Sequence, residues 1–116
     1  MKTSIVITAY NVEQYIAKSI ISAMQEGVGE IIIVEDKSTD NTLNVIKEII
    51  ENSKRDIDIN LIINKENIGA GLSRRVGIEN CKNEYVLLLD GDDYLDKGFI
   101  KELLDKAEET DADIVS

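Results

Sequence analysis

The sequence predicts an α/β fold in which helices cover a parallel sheet. Segments typical of buried strands alternate with segments of helical spacing throughout the 116 residues. Residues 31–34 and 86–89 are apolar at every position, as in strands buried on both faces of a parallel sheet. The length suits one domain with a substantial core, so residues 1–116 are interpreted as a single domain.

The first four elements follow from local signals. Residues 4–8 form a short β-branched run, and apolar side chains recur at helical spacing over residues 13–25. We expect glycines to end this helix: Gly27 and Gly29. Residues 30–35 contain the second strand, and Ser38-Thr39-Asp40 offers capping oxygens to the helix that follows. The apolar side of that second helix consists of Leu43, Ile46, Ile49 and Ile50.

The second half of the chain repeats the alternation. Residues 57–63 alternate and then become apolar, residues 70–80 have helical character, and residues 85–89 form a fully apolar strand. Residues 97–109 are predicted to be the last helix, and a fifth strand is predicted to begin at residues 113–116. The apolar side of the last helix consists of Phe99, Ile100, Leu103, Leu104 and Ala107.

The composition excludes several classes of function. With 13 basic and 23 acidic residues the net charge is −10, which argues against nucleic acids and anionic membranes as main partners, since both are polyanions. The absence of His excludes an imidazole base or a His metal ligand, and the lone Cys81 excludes an intramolecular disulfide. No apolar run is long enough to span a bilayer. A reducing, cytoplasmic location is expected, with any membrane association left to parts outside this chain.

Polar residues gather directly after the predicted strands. Since the carboxyl ends of parallel strands meet at one edge of the sheet, we expect these residues to form a ligand-binding crevice. They belong to four segments, Thr8-Ala9-Tyr10-Asn11, residues 35–40, residues 64–71 and Asp90-Gly91-Asp92-Asp93.

The Asp90-Gly91-Asp92-Asp93 segment is the sharpest of these signals. Three carboxylates in four residues repel one another unless a cation or hydrogen-bond donors neutralise them. Carboxylate oxygens suit Mg²⁺ or Mn²⁺, which bind through one or two carboxylates together with substrate phosphates. An acidic turn that caps the next helix is an equally good interpretation of this segment taken alone.

Other strand-end residues also have two interpretations. Asp36 is placed to accept a hydrogen bond from a base or a ribose, or else to bond the nearby backbone. The ring of Tyr10 is suited either to stacking on a base or to capping the core. Arg75, in the helix after the glycine-containing turn, would reach a phosphate or pair with a surface carboxylate.

Taken in order, these segments resemble the nucleotide-binding half of a family 2 glycosyltransferase, which has a Rossmann-like fold called GT-A. The resemblance extends over essentially the whole chain and consists of four motifs in the expected order at the expected strand ends. The motifs are Ser4-Ile5-Val6-Ile7-Thr8-Ala9-Tyr10-Asn11, Ile33-Val34-Glu35-Asp36-Lys37-Ser38-Thr39-Asp40-Asn41-Thr42, Asn67-Ile68-Gly69-Ala70-Gly71-Leu72-Ser73-Arg74-Arg75 and Tyr85-Val86-Leu87-Leu88-Leu89-Asp90-Gly91-Asp92-Asp93.

The resemblance implies a role for individual residues. Asp92, with Asp90, would ligate a divalent metal, Mn²⁺ or Mg²⁺, that bridges the diphosphate of a nucleotide-sugar donor such as a UDP-sugar. The metal would reverse the sign of an acidic site and stabilise the leaving nucleoside diphosphate. The implied nucleotide-sugar-binding residues are Thr8, Ala9, Tyr10, Asn11, Asp36, Arg75, Asp90 and Gly91.

The resemblance also implies what this chain lacks. The family needs a further stretch that binds the acceptor and supplies a carboxylate base, so a truncated donor-binding domain is expected, with the base beyond Ser116. The full enzyme would transfer the sugar to a hydroxyl of a sugar, lipid or protein acceptor with inversion. Lys37 departs from the family pattern, because glycine often stands there. A homo-oligomer formed through an exposed sheet edge is a further expectation.

Two other functions remain open at this point. A sugar-1-phosphate nucleotidyltransferase shares the architecture, but its Gly-rich signature should follow the first strand, where this chain has Thr8-Ala9-Tyr10-Asn11. A non-catalytic α/β interaction domain whose carboxylates bind Mg²⁺ alone belongs to a different class. Metal binding that does not depend on nucleotide would favour it.

Overall fold

The predicted parallel sheet with helices on both faces is confirmed. The structure, a computed structural model, describes residues 2–53 and 57–110. The predicted strand at residues 113–116 lies outside the described residues. Four strands and four helices alternate along the described chain: β1 (Thr3–Ala9), α1 (Ile16–Ala23), β2 (Val28–Glu35), α2 (Thr42–Asn52), β3 (Asp58–Ile63), α3 (Ala70–Glu79), β4 (Tyr85–Asp90) and α4 (Phe99–Thr110).

The order of the strands decides which helix covers which face. The sheet order is β3-β2-β1-β4, and all neighbours are parallel. The chain moves outward from β1 to β3 and then crosses back to β4 on the other side of β1. Because crossovers between parallel strands are right-handed, this reversal of direction places α3, the helix between β3 and β4, on the opposite face of the sheet. The direction changes between β1 and β4, where ligands of such sheets bind.

The core has two layers, as this order requires. The larger cluster lies on one face, where α1, α2 and α4 pack on the sheet through residues such as Ile20, Ile46 and Ile100. The smaller cluster lies on the other face and is built around Val6, Ile32 and Val34. Helix α3 packs on β1 and β2 at this smaller face. Both faces of β1 and β2 are therefore covered, which explains their unbroken apolar sequences.

The observed boundaries correct three sequence predictions. Helix α1 is shorter than the predicted 13–25, because Val12 accepts backbone hydrogen bonds from Tyr15 and Ile16 in a preceding turn. Gly27, with φ +96°, lies in the turn after the helix as expected, but Gly29 lies inside β2 and does not end the helix. Strand β2 begins earlier than predicted because its pairing with β1 continues to Val28.

The edges of the sheet and the lengths of the helices bear on two further expectations. Strands β3 and β4 are the edge strands of the described sheet. Self-association through such an edge stays a prediction. Within residues 2–53 and 57–110, no helix combines the length and the apolar character that crossing a bilayer requires. A cytoplasmic location likewise stays a prediction.

Candidate functional site

A crevice of about 370 Å³ opens at the carboxyl ends of β1 and β4, beside the first turns of α3. This is the point where the strand order changes direction, and α3, which crosses back to β4, covers the face of the sheet opposite to α1, α2 and α4. The crevice is lined by Thr8, Ala9, Tyr10, Val12, Asp36, Asn67, Gly69, Ala70, Ser73, Arg74, Asp90, Gly91 and Asp92.

Sheet register brings the strand-end motifs to the same level. Thr8 of β1 pairs with Asp90 of β4, and Ala9 pairs with Glu35 of β2. The ladder continues one step past the strands, because Gly91 N–H donates to the Thr8 carbonyl at 2.8 Å and Asp36 N–H donates to the Ala9 carbonyl at 2.9 Å. The polar loops therefore start from a common, rigid edge.

Gly91 holds the acidic loop against β1. It is buried, and a Cβ at this position would lie 2.8 Å from the Thr8 carbonyl oxygen and 3.0 Å from Cγ2 of Val12. A side chain there would push the loop away from the strand, since backbone cannot move aside as a flexible side chain can. Its neighbours Asp90 and Asp92 both line the crevice and both are exposed.

The two aspartates differ in their partners. Asp90 accepts a hydrogen bond from Arg74, whose Nη2 lies 3.1 Å from Oδ1, in an ion pair with side chains 38% and 57% exposed for arginine and aspartate. Within the described residues, the carboxylate of Asp92 has no hydrogen-bond or ion-pair partner. The crevice thus contains a free carboxylate beside a paired one.

Asp36 is a buried carboxylate that supports the opposite wall. It is 3% exposed and accepts hydrogen bonds from the backbone N–H groups of Ile68 and Gly69 at 2.8 and 2.9 Å, and from Nδ2 of Asn64 at 3.0 Å. Gly69, with φ +89°, adopts the left-handed region that favours glycine. The carboxylate therefore fixes the turn from which α3 begins, and α3 carries Arg74.

A second buried carboxylate shapes the loop after β2. Glu35, 1% exposed, accepts hydrogen bonds from the backbone N–H groups of Lys37 and Ser38 at 3.1 and 2.8 Å. Lys37 has φ +57°, the left-handed region that favours glycine, which is the residue that the resemblance leads us to expect here.

Asp40 and Asn11 join that loop to the loop after β1. The Asn11 Oδ1 accepts hydrogen bonds from the Thr39 and Asp40 backbones at 2.8 and 3.3 Å. Asp40 accepts from the Thr42 hydroxyl at 2.6 Å, from Thr42 N–H at 2.9 Å and from Glu13 N–H at 3.3 Å, while the N-cap residue of α2 is Asn41, which makes no side-chain capping bond. Partial burial raises the pKa of Asp40, but these hydrogen bonds outweigh it and hold the pKa below its ordinary value.

The structure brings together most, but not all, of the residues predicted for the site. Arg75 and Asn11 are not among the residues that line the crevice. Arg75 is 76% exposed and pairs with Glu79 at 3.2 Å, so its expected place near a phosphate stays a prediction. The Asn11 side chain is used in joining the two loops. The predicted residues that do line the crevice are Thr8, Ala9, Tyr10, Asp36, Asp90, Gly91 and Asp92.

Sequence reasoning missed Arg74 and its neighbours on α3. Ala70, Ser73 and Gly77 recur at spacings of three and four, so they mark the side of the helix that meets the sheet. Ser73 and Gly77 are indeed the buried residues of α3. Arg74 follows directly after Ser73 at the edge of this side, whereas Arg75 is rotated about 100° further away. The small-residue spacing was the signal that could have separated the two arginines.

Comparison with known proteins agrees with this geometry. The family model described as Glycosyl transferase family 2 matches residues 4–116. The glycosyltransferase GlyA of Streptococcus pneumoniae is 34% identical over 116 residues, which cover 97% of this chain and 16% of GlyA.

Solved structures show the same likeness. The crystal structure of residues 1–349 of TarS from Staphylococcus aureus superimposes with a TM-score of 0.81 at 30% identity, covering 94% of this chain and 33% of the TarS chain. PcManGT, a mannosyltransferase from Pyrobaculum calidifontis, gives a TM-score of 0.67 at 19% identity over 80% of this chain and 28% of PcManGT, which shows the fold alone. The chain spans a third or less of the length of each of these proteins. The match over almost the whole chain shows that it belongs to glycosyl transferase family 2.

Proposed function

We propose that this chain is the donor-binding part of a glycosyltransferase and that its crevice holds a nucleotide-diphospho-sugar, with UDP as the nucleotide. The observation that carries the proposal is the crevice at the β1–β4 switch point, where Asp90, Asp92 and Arg74 lie together. TarS, about 30% identical, has been crystallised with UDP and with UDP-GlcNAc, which supports a UDP-sugar as donor.

A divalent cation, Mn²⁺ or Mg²⁺, is part of the proposal. The residues fit such an ion, because Asp90 and Asp92 offer exposed carboxylate oxygens at one side of the crevice. Within residues 2–53 and 57–110, no three acidic or cysteine side chains gather as ligands. A site of this kind is completed by phosphate oxygens and water, as is usual for Mg²⁺. When bound, the ion would supply positive charge that stabilises the departing diphosphate; the PcManGT structure, which contains GDP-Man and Mn²⁺, is a distant precedent.

Two further lining residues, Tyr10 and Asp36, suit the nucleoside. Tyr10 is 46% exposed, so its ring is accessible for stacking on a base. Asp36 uses three hydrogen bonds to hold the turn before α3, and a carboxylate has roughly four acceptor positions, so one remains for a base N–H. Thr8 and Ala9, both buried, also line the crevice. We assign them to contacts along the nucleotide.

The complete reaction extends beyond this chain. We propose a single displacement in which an acceptor hydroxyl attacks the anomeric carbon, the bond to the diphosphate breaks, and the configuration inverts. The hydroxyl proton would go to a carboxylate base, which the proposal places outside residues 1–116. The acceptor is a sugar, lipid or protein hydroxyl.

Isothermal titration calorimetry of the whole chain with UDP and Mn²⁺ tests the proposal. We expect binding by the wild type and at least a tenfold loss in Asp92→Asn, since one charge-assisted metal contact disappears. Asp93→Asn is the matched control, because it makes the same change in the same loop at a residue that does not line the crevice. Absence of binding by the wild type, or equal losses in the two variants, would contradict the proposed site.

Metal dependence separates this function from the alternative of a Mg²⁺-binding interaction domain. The proposed donor site requires that UDP binding depends on Mn²⁺ and that Mn²⁺ binding strengthens with UDP, since linkage between two ligands is reciprocal. Mn²⁺ binding that does not change with UDP would favour the interaction domain.

A further inference from the structure

We propose that Arg74 is an internal counter-ion that occupies Asp90 in the absence of metal and turns to the donor phosphates when a divalent cation binds. The inference rests on the proposed function and adds a regulation of that site. Metal and nucleotide would then bind cooperatively, because the metal releases the cation that the nucleotide needs.

The charges at the crevice are the first support. Its lining contains three carboxylates, Asp36, Asp90 and Asp92, and one guanidinium, that of Arg74. Asp36 is buried and spends most of its acceptor positions on the turn before α3, so the exposed negative charge of the crevice comes from the other two aspartates. Arg74 is the cation that reaches them, and its contact with Asp90 would oppose an incoming Mn²⁺ by like-charge repulsion.

The geometry of the ion pair is the second support. Arg74 and Asp90 meet through one contact of 3.1 Å, not the two parallel contacts of a bidentate pair. The two side chains are 38% and 57% exposed and therefore well solvated. The ion pair then favours the paired over the separated side chains by at most about fivefold. A doubly charged cation can therefore easily displace Arg74 from Asp90.

The position of Arg74 on α3 is the third support. The backbone of the helix is fixed by Ser73 and Gly77 against the sheet, so Arg74 can change partner by side-chain rotation alone. Arg75, by contrast, has its own partner in Glu79 on the outer side of the helix. The two neighbouring arginines therefore form a natural pair for comparison.

The test measures Mn²⁺ binding without nucleotide, by electron paramagnetic resonance of the free ion, in the whole chain. In Arg74→Gln we expect Mn²⁺ to bind about three- to fivefold more tightly, because the competing cation is gone. Arg74→Lys keeps a competing charge and should stay close to the wild type. Arg75→Gln removes the same charge away from the crevice and should also leave Mn²⁺ binding unchanged, since exposed charges are screened.

The second arm measures UDP binding at saturating Mn²⁺ by calorimetry. Here Arg74→Gln should weaken UDP binding by about tenfold or more, since a charge-assisted hydrogen bond to phosphate is lost. The effects on metal and on nucleotide thus have opposite signs. In an Asp90→Asn background, Arg74→Gln should no longer change Mn²⁺ affinity.

The two proposals fail in different ways. If the wild type binds no UDP with Mn²⁺, the proposed function is wrong. If it binds UDP with Mn²⁺ but Arg74→Gln binds Mn²⁺ alone equally or more weakly, including binding too weak to detect in both, then Arg74 is a fixed support for Asp90 and the exchange of partners is wrong.

Discussion

Gly77 allows helix α3 to lie directly on the sheet, and replacing it with alanine should separate the two. A Cβ at Gly77 would lie 2.3 Å from Cγ1 of Val6 and 3.3 Å from Cγ2 of Val34. Val6 is fully buried in β1, and its β-branched side chain has few rotamers. The added methyl would overlap Val6 by about 1 Å relative to ordinary carbon contact, so the helix or the strand must shift.

The expected cost follows from two opposing terms. Overpacking of a rigid core costs up to about 3 kcal/mol, and Gly77→Ala regains roughly 1 kcal/mol of helix propensity. We therefore expect a net loss of about 2 kcal/mol in the free energy of unfolding. With a urea m-value of about 2 kcal/mol/M, the unfolding midpoint should fall by about 1 M. Because α3 carries Arg74, UDP binding should weaken as well.

Urea unfolding followed by circular dichroism measures this effect, and two further variants serve as controls. Gly71→Ala makes the same change on the same helix with no atom within 4 Å of the new Cβ, so stability should rise by about 0.5 kcal/mol. In a Val6→Ala background the clash is absent, and Gly77→Ala should become neutral or stabilising, with a coupling energy of about 2 kcal/mol. If Gly77→Ala is as stable as the wild type, the close approach of α3 to β1 is refuted.

Three further predictions concern the loops around the crevice and the amino edge of the sheet. Asp36→Asn should lower the free energy of unfolding in urea by about 2–3 kcal/mol, because two backbone N–H groups lose a charged acceptor; a change below about 0.5 kcal/mol would contradict this role. Lys37→Gly should raise the melting temperature slightly, because relief of about 1 kcal/mol of left-handed backbone strain exceeds the free-energy cost of the greater flexibility that glycine gives the unfolded chain. A lower melting temperature would show that no strain exists at φ +57°. Burial, together with the negative charge of Glu30, raises the pKa of the Cys81 thiol. The thiol of the native protein should therefore react more slowly with 5,5′-dithiobis(2-nitrobenzoate) at pH 8 than the thiol of the protein unfolded in urea. Equal rates would count against a buried thiol beside Glu30.

The strand-end pattern shows how far sequence reasoning reached at the site. Asp90, Asp92, Tyr10 and Asp36 were all predicted from their positions after apolar strands, and all of them line the crevice. They lie together because parallel strands place their carboxyl ends at one edge, whatever the order of the strands, and their roles in binding stay predictions. Which two loops flank the crevice depends on strand order, and only the sheet pairings supplied it.

The arginines show where sequence reasoning stopped. Arg74 and Arg75 are adjacent and chemically identical, so composition and motif order do not distinguish them. The rotation of α3 about its own axis distinguishes the two arginines, and that rotation is set by the close packing of Gly77 on Val6. A rotation of about 100° per residue turns one arginine toward Asp90 and its neighbour toward Glu79.

The roles of the polar side chains likewise depend on contacts that only the folded chain provides. The sequence by itself determined the α/β class, the alternation of elements and the acidic character of the crevice, since all three follow from local periodicity and composition. Only the tertiary structure decided that Asp36 anchors a turn about thirty residues away, that Asn11 joins two loops and that, among residues 2–53 and 57–110, Asp90 is paired while Asp92 is not. These contacts join residues far apart in sequence, so no local pattern contains them; folding of the sheet creates them.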